Sequence, residues 1–157
     1  MQPDATTRDV GFTLLFHALL RLHFLSFIGK CIDTIDPAAN YRENWHIRVL
    51  ALKLELVRTG KCRRLMINLP PRSLKTHIVS VAFTAWLLGH DPTMRIICVT
   101  YSNDVSKNQA QLFAKIVRSE WFKAAFPDCQ TARRLFAVGH ALGGGEPAVG
   151  GPDTGHG

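Results

Sequence analysis

The chain has 157 residues, of which 46% are hydrophobic and 20% charged, and a formal net charge of +7. This length and balance fit one ordinary globular domain and exclude a fibrous or wholly disordered chain. The four cysteines lie too far apart in the sequence to form a zinc-type C-x-x-C pair. The excess of Lys and Arg favours a polyanionic partner, such as nucleic acid or nucleotide, without choosing between them.

The apolar stretch GFTLLFHALLRLHFLSFI near the N-terminus is not predicted to span a membrane. His17, Arg21 and His23 interrupt it, and they would be expensive to place in hydrocarbon. The preceding MQPDATTRD lacks the positive charge that a secretory signal carries at its start. We therefore expect a cytoplasmic protein that makes no membrane contact.

Two helices are predicted in the first part of the chain. From Thr13 to about Ile35, apolar residues recur densely enough for a helix that is buried on most of its surface. A second helix is predicted over residues 41–58, with Gly60 well placed to end it. Its apolar stripe follows helical spacing and consists of Trp45, Val49, Leu52 and Leu56.

Two short runs of β-forming residues follow. The first, RRLMINL at residues 63–69, stops at Pro70 and Pro71, which cannot donate to a continuing ladder. The second, RIICVTY at residues 95–101, has the unbroken apolar character of a central parallel strand covered on both faces.

A helix is predicted after each of these strands. The first begins near Ser73 or Lys75 and runs to Leu88, with Gly89 as its stop. The second covers residues 104–122, where apolar residues recur at helical spacing. Strand, helix, strand and helix form a βαβ unit, whose crossover is expected to be right-handed.

The loop NLPPRSLKT, residues 68–76, joins the first strand to its helix and ends in the Lys-Thr pair of a phosphate-binding loop. The two glycines of G-x-x-x-x-G-K-[ST] are absent, and Leu69 and Leu74 stand in their places. A helix that begins just after a strand presents unpaired N–H groups to an anion. Lys75 would contact the β and γ phosphates, and the Thr76 hydroxyl would help to hold Mg²⁺.

A simpler interpretation of this loop is a Pro-Pro turn capped by Ser73, with Arg72 and Lys75 solvated on its rim. The position of the loop weighs against it, because open α/β sheets bind ligands at the carboxyl ends of their strands.

Residues 63–102 closely resemble the ATPase domain of the large subunit of tailed-phage and prophage terminases, the motors that package DNA into procapsids. The phosphate loop of that family is commonly P-P-R-x-x-K-[ST], and residues 70–76 match it. The segments YRENWHI and SEWFKAAFPD also look like terminase sequence, so the resemblance covers about residues 14–130. The missing glycines are therefore interpreted as a family variant.

The resemblance implies a site for ATP and Mg²⁺. Its nucleotide-binding residues would be Pro71, Arg72, Ser73, Leu74, Lys75 and Thr76. Arg72 would act as a γ-phosphate sensor or cis arginine finger, and Thr76 would contact Mg²⁺ held by the nucleotide. Tyr41 and Trp45 match the region near the adenine, although packing within the helix is the simpler role for Trp45. The segment TYSNDVSKNQ looks like the one that couples nucleotide state to DNA in related translocases, although helix capping is the simpler role for its Asn103, Asp104 and Ser106.

The resemblance also sets the expected fold and partners. The predicted fold class is α/β, an incomplete P-loop NTPase-type parallel sheet with a βαβ core, preceded by N-terminal helices. Residues 1–62 would form the helical segment, residues 63–130 the core, and residues 131–157 a glycine-rich tail that is disordered or out of frame. In the intact family the partners are double-stranded DNA, the terminase small subunit and the portal.

The acids that hydrolysis needs are missing from the expected place. Hydrolysis requires a carboxylate near Mg²⁺ and another beside the attacking water, but after Asp128 only Glu146 and Asp153 remain. The family's nuclease domain is also missing, and we expect a truncated or frameshifted copy. The predicted function is a terminase ATPase fragment that binds ATP without hydrolysing it alone. The alternatives are a non-catalytic assembly or DNA-binding module and a nonfunctional prophage remnant.

Overall fold

The computed structural model describes residues 5–38, 41–131 and 138–140, with side chains described for residues 11–38 and 41–129. The described residues are mostly helical. The helices are α1 Ala5–Leu22, α2 Phe24–Ile35, α3 Trp45–Arg58, α4 His77–His90, α5 Asn103–Arg118 and α6 Glu120–Ala125. The first seven residues of α4, His77–Phe83, are π-helical, and a 3₁₀ turn at Pro127–Thr131 follows α6. The strands are β1 Cys98–Thr100 and β2 Val138–His140.

The single helix predicted from Thr13 to Ile35 is wrong, because the chain breaks at His23. The axes of α1 and α2 differ by 107° across this break. The His23 ring caps α2, since its Nδ1 accepts a hydrogen bond from the Ser26 N–H at 3.4 Å and bonds the Ser26 hydroxyl at 2.8 Å. A side-chain acceptor that meets a free N–H at a helix start stabilises a new helix there.

The core forms where α2, α4 and the end of α6 meet. The ring centroids of Phe24 and Trp86 lie 4.7 Å apart, and the Phe27 ring meets the Phe126 ring edge-on at 5.9 Å. The Trp86 indole N–H donates to the Leu20 carbonyl at 3.2 Å. Because this buried indole has an acceptor, the aromatic cluster is joined to α1 without an unpaired polar group.

Two glycines predicted to end helices behave differently. Gly60 follows α3 with φ of 73° and donates to the Val57 carbonyl at 3.0 Å, which confirms its role. Gly89 lies inside α4, which ends one residue later. A Cβ atom at Gly89 would lie 2.6 Å from the Phe126 ring, so close packing rather than termination explains this glycine.

The parallel sheet predicted for the centre of the chain is wrong. Residues 63–69 form no strand, and β1 pairs in parallel with β2 in the described residues, with Cys98 opposite Val138 and Thr100 opposite His140. The α/β class with an incomplete P-loop NTPase-type βαβ core is therefore not seen in the described residues. Local β propensity describes how a side chain fits a pleated surface, and it does not supply the neighbouring strand that completes a ladder.

In both β-rich runs, half-buried and exposed side chains nevertheless alternate as they do in a strand. In residues 63–69, Leu65 and Ile67 pack against the helices and Met66 is exposed. Near β1, the inward residues are Met94, Ile96 and Cys98, and the exposed ones are Ile97, Val99 and Tyr101. The prediction that both faces of the second strand are covered is wrong, since one face meets solvent.

The remaining expectations concern the membrane and the tail. Within the described ranges, no single helix is both long and apolar enough to cross a membrane; only the pair α1 and α2, taken together across its bend, reaches that length and apolarity. The predicted tail, residues 131–157, lies outside the described residues except for Thr131 and the three residues of β2. Glu146 and Asp153 are therefore outside them as well.

Candidate functional site

The predicted phosphate loop joins the β-rich run at residues 63–69 to α4. Leu65, Ile67 and Leu69 pack on the core and fix the path of the chain up to Pro70. Beyond the loop, the Ile78 N–H donates to the Leu74 carbonyl at 2.9 Å, so helical bonding begins there. As at any helix start, the N–H groups before this first bond point away from the helix and have no partner within it.

The backbone of the loop adopts a conformation that its side chains disfavour. Arg72 and Leu74 have φ of 63° and 59°, and they are the only non-glycine residues with positive φ in the described chain. The next residues return to the right-handed helical region, with Thr76 at φ −64° and ψ −42°. Alternation of left- and right-handed residues turns successive N–H groups toward one point and creates an anion-binding concavity. Leu74 thus provides the conformation for which the usual motif employs glycine.

A cavity of about 340 Å³ lies against this turn, and we call it the loop cavity. The residues that line it are Leu69, Pro70, Pro71, Arg72, Ser73, Leu74, Lys75, Thr76 and His77. All six predicted nucleotide-binding residues are therefore brought together. Arg72 is exposed and Lys75 is half-buried, and neither takes part in a salt bridge among the described residues. Two cations that have no salt-bridge partner, next to the start of a helix, favour an anion there.

Ser73 does not cap the helix as the simpler interpretation requires. Its hydroxyl is buried and has no hydrogen-bond partner within the described residues. Most buried hydroxyls in native proteins are hydrogen-bonded, so an unpaired one at a cavity calls for an explanation. A ligand oxygen in the loop cavity would provide the missing partner.

A second cavity, of about 300 Å³, adjoins the first, and we call it the side groove. It shares Thr76 and His77 with the loop cavity, and its other lining residues are Val81, Asp104, Val105, Asn108, Gln109 and Leu112. The packing of α5 beside α4 thus places the Asp104 carboxylate on the same groove as the Thr76 hydroxyl. Sequence reasoning missed this acid as a site residue. The available signal was the recurrence of residues 104, 105, 108, 109 and 112 on one face of a helix.

The capping role predicted for the residues after the second strand is not seen. The N-cap of α5 is Ser102, and no side chain caps it. Ser106 is buried, and its hydroxyl bonds the Thr100 hydroxyl instead. Asp104 is exposed in the first turn, where a carboxylate is favourable near the helix dipole.

Tyr41 and Trp45, predicted to lie near the adenine, do not line the loop cavity. Trp45 begins α3 and is 73% exposed. Tyr41 is half-buried beside Gly29, and its hydroxyl is buried without a partner among the described residues. Burial, together with the carboxylates of Glu43 and Asp33, raises the pKa of the Tyr41 phenol. The adenine assignment of both residues stays a prediction.

The groups that could contact Mg²⁺ are few. No three or more His, Cys, Asp or Glu side chains in the described part of the chain are grouped so as to hold a metal ion by themselves. Thr76 and Asp104 offer one hydroxyl and one carboxylate as metal ligands. Two oxygen ligands suit a Mg²⁺ ion that is held mainly by nucleotide phosphates and water.

Comparison with known proteins adds no relative. No protein-family model, curated protein or solved structure matches this chain. The terminase resemblance stays a prediction that rests on the residues quoted for it, and the loop geometry is an independent observation.

Proposed function

We propose that this chain binds Mg-ATP through residues 71–76, as the nucleotide-binding part of a DNA-packaging motor of the terminase large-subunit type. The observation that carries the proposal is the backbone of the loop, in which Arg72 and Leu74 are left-handed immediately before α4 begins. A non-glycine residue in this region is uncommon and costs about 1–2 kcal/mol. Such strain is characteristic of ligand-binding turns.

Each group in the loop has a role that its chemistry supports. The N–H groups that precede the first helical bond would donate to the phosphate oxygens, with the positive end of the α4 dipole behind them. The Lys75 ammonium would contact the β and γ phosphates, and the planar Arg72 guanidinium would bind the γ phosphate through two parallel hydrogen bonds. The Thr76 hydroxyl would face the Mg²⁺ that accompanies the nucleotide.

Binding without rapid hydrolysis is the expected activity. Hydrolysis requires one carboxylate near the metal and another to position the water. Asp104 is the only carboxylate that lines either cavity in the described part of the chain. One acid can help to hold the metal or orient water, but it does not fill both positions.

The test is isothermal titration calorimetry, in which ATP is added to the purified full chain in the presence of Mg²⁺ and the dissociation constant is measured. Lys75→Ala is expected to remove a charge-assisted hydrogen bond worth about 1.5–3 kcal/mol, which corresponds to a roughly ten- to hundredfold loss of affinity. Lys61→Ala is the matched control, because it removes the same charge from an exposed residue outside the loop cavity. Its affinity for Mg-ATP is expected to stay within about twofold of the parent.

Two results would contradict the proposal. The first is no measurable binding by the parent chain while its circular dichroism shows a folded helical protein. The second is equal weakening by Lys61→Ala and Lys75→Ala, which would indicate general attraction between a basic protein and a polyanion. Either result would favour the non-catalytic assembly module. Steady ATP turnover would refute the expectation that an acid is missing.

A further inference from the structure

Helix α3 carries apolar side chains on two different faces. One face holds Ile47, Leu50, Ala51 and Leu54, which are buried in the core. The other holds the residues that we call the α3 stripe, and their exposed fractions are 73% for Trp45, 46% for Val49, 62% for Leu52 and 37% for Leu56. A helix that is apolar on both sides is normally covered on both sides. Within the described chain only one of these faces has a partner.

The spacing of the α3 stripe is that of a coiled-coil seam. Its residues are separated by four, three and four positions, which is the a and d pattern of a heptad repeat. With Val49 and Leu56 at a and Trp45 and Leu52 at d, the flanking g positions fall on Arg48 and Glu55, and the e positions on His46 and Lys53. The pattern suits a second helix as the partner, and it defines which charges would flank such a contact.

We infer that α3 docks on α3 of a second copy of this chain, in antiparallel orientation. An antiparallel pair places Trp45 opposite Leu56 and Val49 opposite Leu52, so that every stripe residue meets an apolar partner. In this orientation g positions face g positions, and Arg48 of each copy meets Glu55 of the other, forming two ion pairs by symmetry. His46 faces Lys53 on the other flank, where no ion pair is gained.

The parallel alternative lacks this complementarity. There, g positions face e positions of the partner, and Arg48 would meet Lys53 in both copies. Like charges across a helical interface disfavour the pairing. The charges of α3 therefore select the antiparallel dimer.

The ionic groups are available for the contact. The Arg48 Nε already contacts Glu43 within the chain, but a guanidinium has five N–H donors, and the terminal nitrogens remain for a second carboxylate. No salt bridge of the described residues includes Glu55. Folding has already ordered α3 through its buried face, so a helix of only 14 residues can associate without first having to form.

The test is sedimentation velocity of the full chain over roughly a hundredfold range of concentration, at pH 8 to keep imidazoles uncharged. The parent is expected to pass from monomer to dimer as its concentration rises. Leu52→Glu places a charge at the centre of the α3 stripe and is expected to raise the dissociation constant by about tenfold or more. Met66→Glu is the control, because it places the same charge on an exposed apolar residue outside α3, with exposed fractions of 86% for Met66 and 62% for Leu52.

A charge exchange tests the orientation. In the antiparallel dimer, Arg48→Glu places two like charges together and is expected to weaken association by about threefold or more, and adding Glu55→Arg is expected to restore it. In a parallel dimer, Arg48→Glu would instead face Lys53 and strengthen association. Circular dichroism of each variant verifies that α3 and the core remain folded.

The inference is overturned by any of three results. These are a chain that stays monomeric at every concentration, equal dissociation by Met66→Glu and Leu52→Glu, and stronger association in Arg48→Glu. None of the α3 stripe residues lines the loop cavity, and Leu52→Glu leaves the predicted adenine contact Trp45 unchanged. Dimer loss and loss of Mg-ATP binding can therefore be distinguished.

Discussion

Leu74 combines a left-handed backbone with a side chain that packs against the core. Its side chain is stabilised by burial, but its backbone conformation is one that glycine adopts more easily than leucine. Both effects act on one residue, which lines the cavity where a phosphate is expected. At position 74 the sequence therefore departs from the motif, while the backbone takes the left-handed conformation that a glycine there would allow.

A pair of substitutions at Leu74 separates these two constraints. Leu74→Ala and Leu74→Gly remove the same buried contacts, but only glycine adopts φ of 59° without strain. Leu74→Gly is expected to be more stable than Leu74→Ala by about 1 kcal/mol, and to retain Mg-ATP binding. Urea denaturation of the two variants measures the difference. Equal stability of the two variants would indicate that residue 74 is not left-handed in solution.

At the scale of elements, the break between α1 and α2 depends on one cap. His23→Ala removes the acceptor that meets the Ser26 N–H and is expected to lower the free energy of unfolding by about 0.5–2 kcal/mol. His23→Asn supplies another strong N-cap acceptor and serves as the control. Thermal and urea denaturation would contradict the capping role if both variants lost the same stability.

The sequence predicted best those helices and helix ends whose causes lie within one short segment. Helices α3 and α4 follow from periodicity along one segment, and the end of α3 follows from Gly60, which adopts a positive φ readily. The single helix predicted over residues 104–122 is wrong, because the chain breaks at Ser119, with ψ of 144°, between α5 and α6. The break at His23 was missed because the apolar density continues through it. The sheet was predicted wrongly because a strand depends on a neighbour that no local pattern specifies.

The residues of the candidate site show the same difference between local and distant causes. The loop residues were identified from their order in the sequence, and the structure gathers all of them around one cavity. Asp104 was missed because its place beside Thr76 arises only when α5 packs beside α4. The α3 stripe was recognised as helical, but spacing alone does not state which apolar face of a helix is buried.

Across the whole molecule, His90 joins α4 to α1. Its Nε2 donates to the Arg21 carbonyl at 2.9 Å, and its ring lies 4.8 Å from that of Trp86. Burial lowers the pKa of His90, and the charges of Arg58 and Arg21 lower it further, against the opposing effect of the hydrogen bond to the Arg21 backbone. Folding therefore favours the neutral imidazole.

This shift predicts how stability depends on pH. In the unfolded chain the histidine titrates near its ordinary pKa of about 6.5. Below that pH the unfolded state therefore binds more protons at this residue than the folded state does, which lowers the free energy of unfolding. The contribution of His90 is complete above about pH 7.5 and is lost as the pH falls through 6.5 toward the lower folded pKa. Urea midpoints of the parent and His90→Asn at pH 5 to 8 measure it. A pH dependence identical in both proteins would refute this assignment.

The three tryptophans occupy three different surroundings. Trp86 is enclosed in the core, Trp121 is half-buried with its N–H on the Thr34 hydroxyl at 3.0 Å, and Trp45 is exposed on the α3 stripe. Indole emission moves to shorter wavelength as water leaves the ring, and dissolved quenchers reach only exposed rings. The chain therefore carries its own fluorescence reporters. In variants that keep a single tryptophan, Trp86 would report unfolding of the core, Trp121 the contact of α6 with α2, and Trp45 the burial of the α3 stripe.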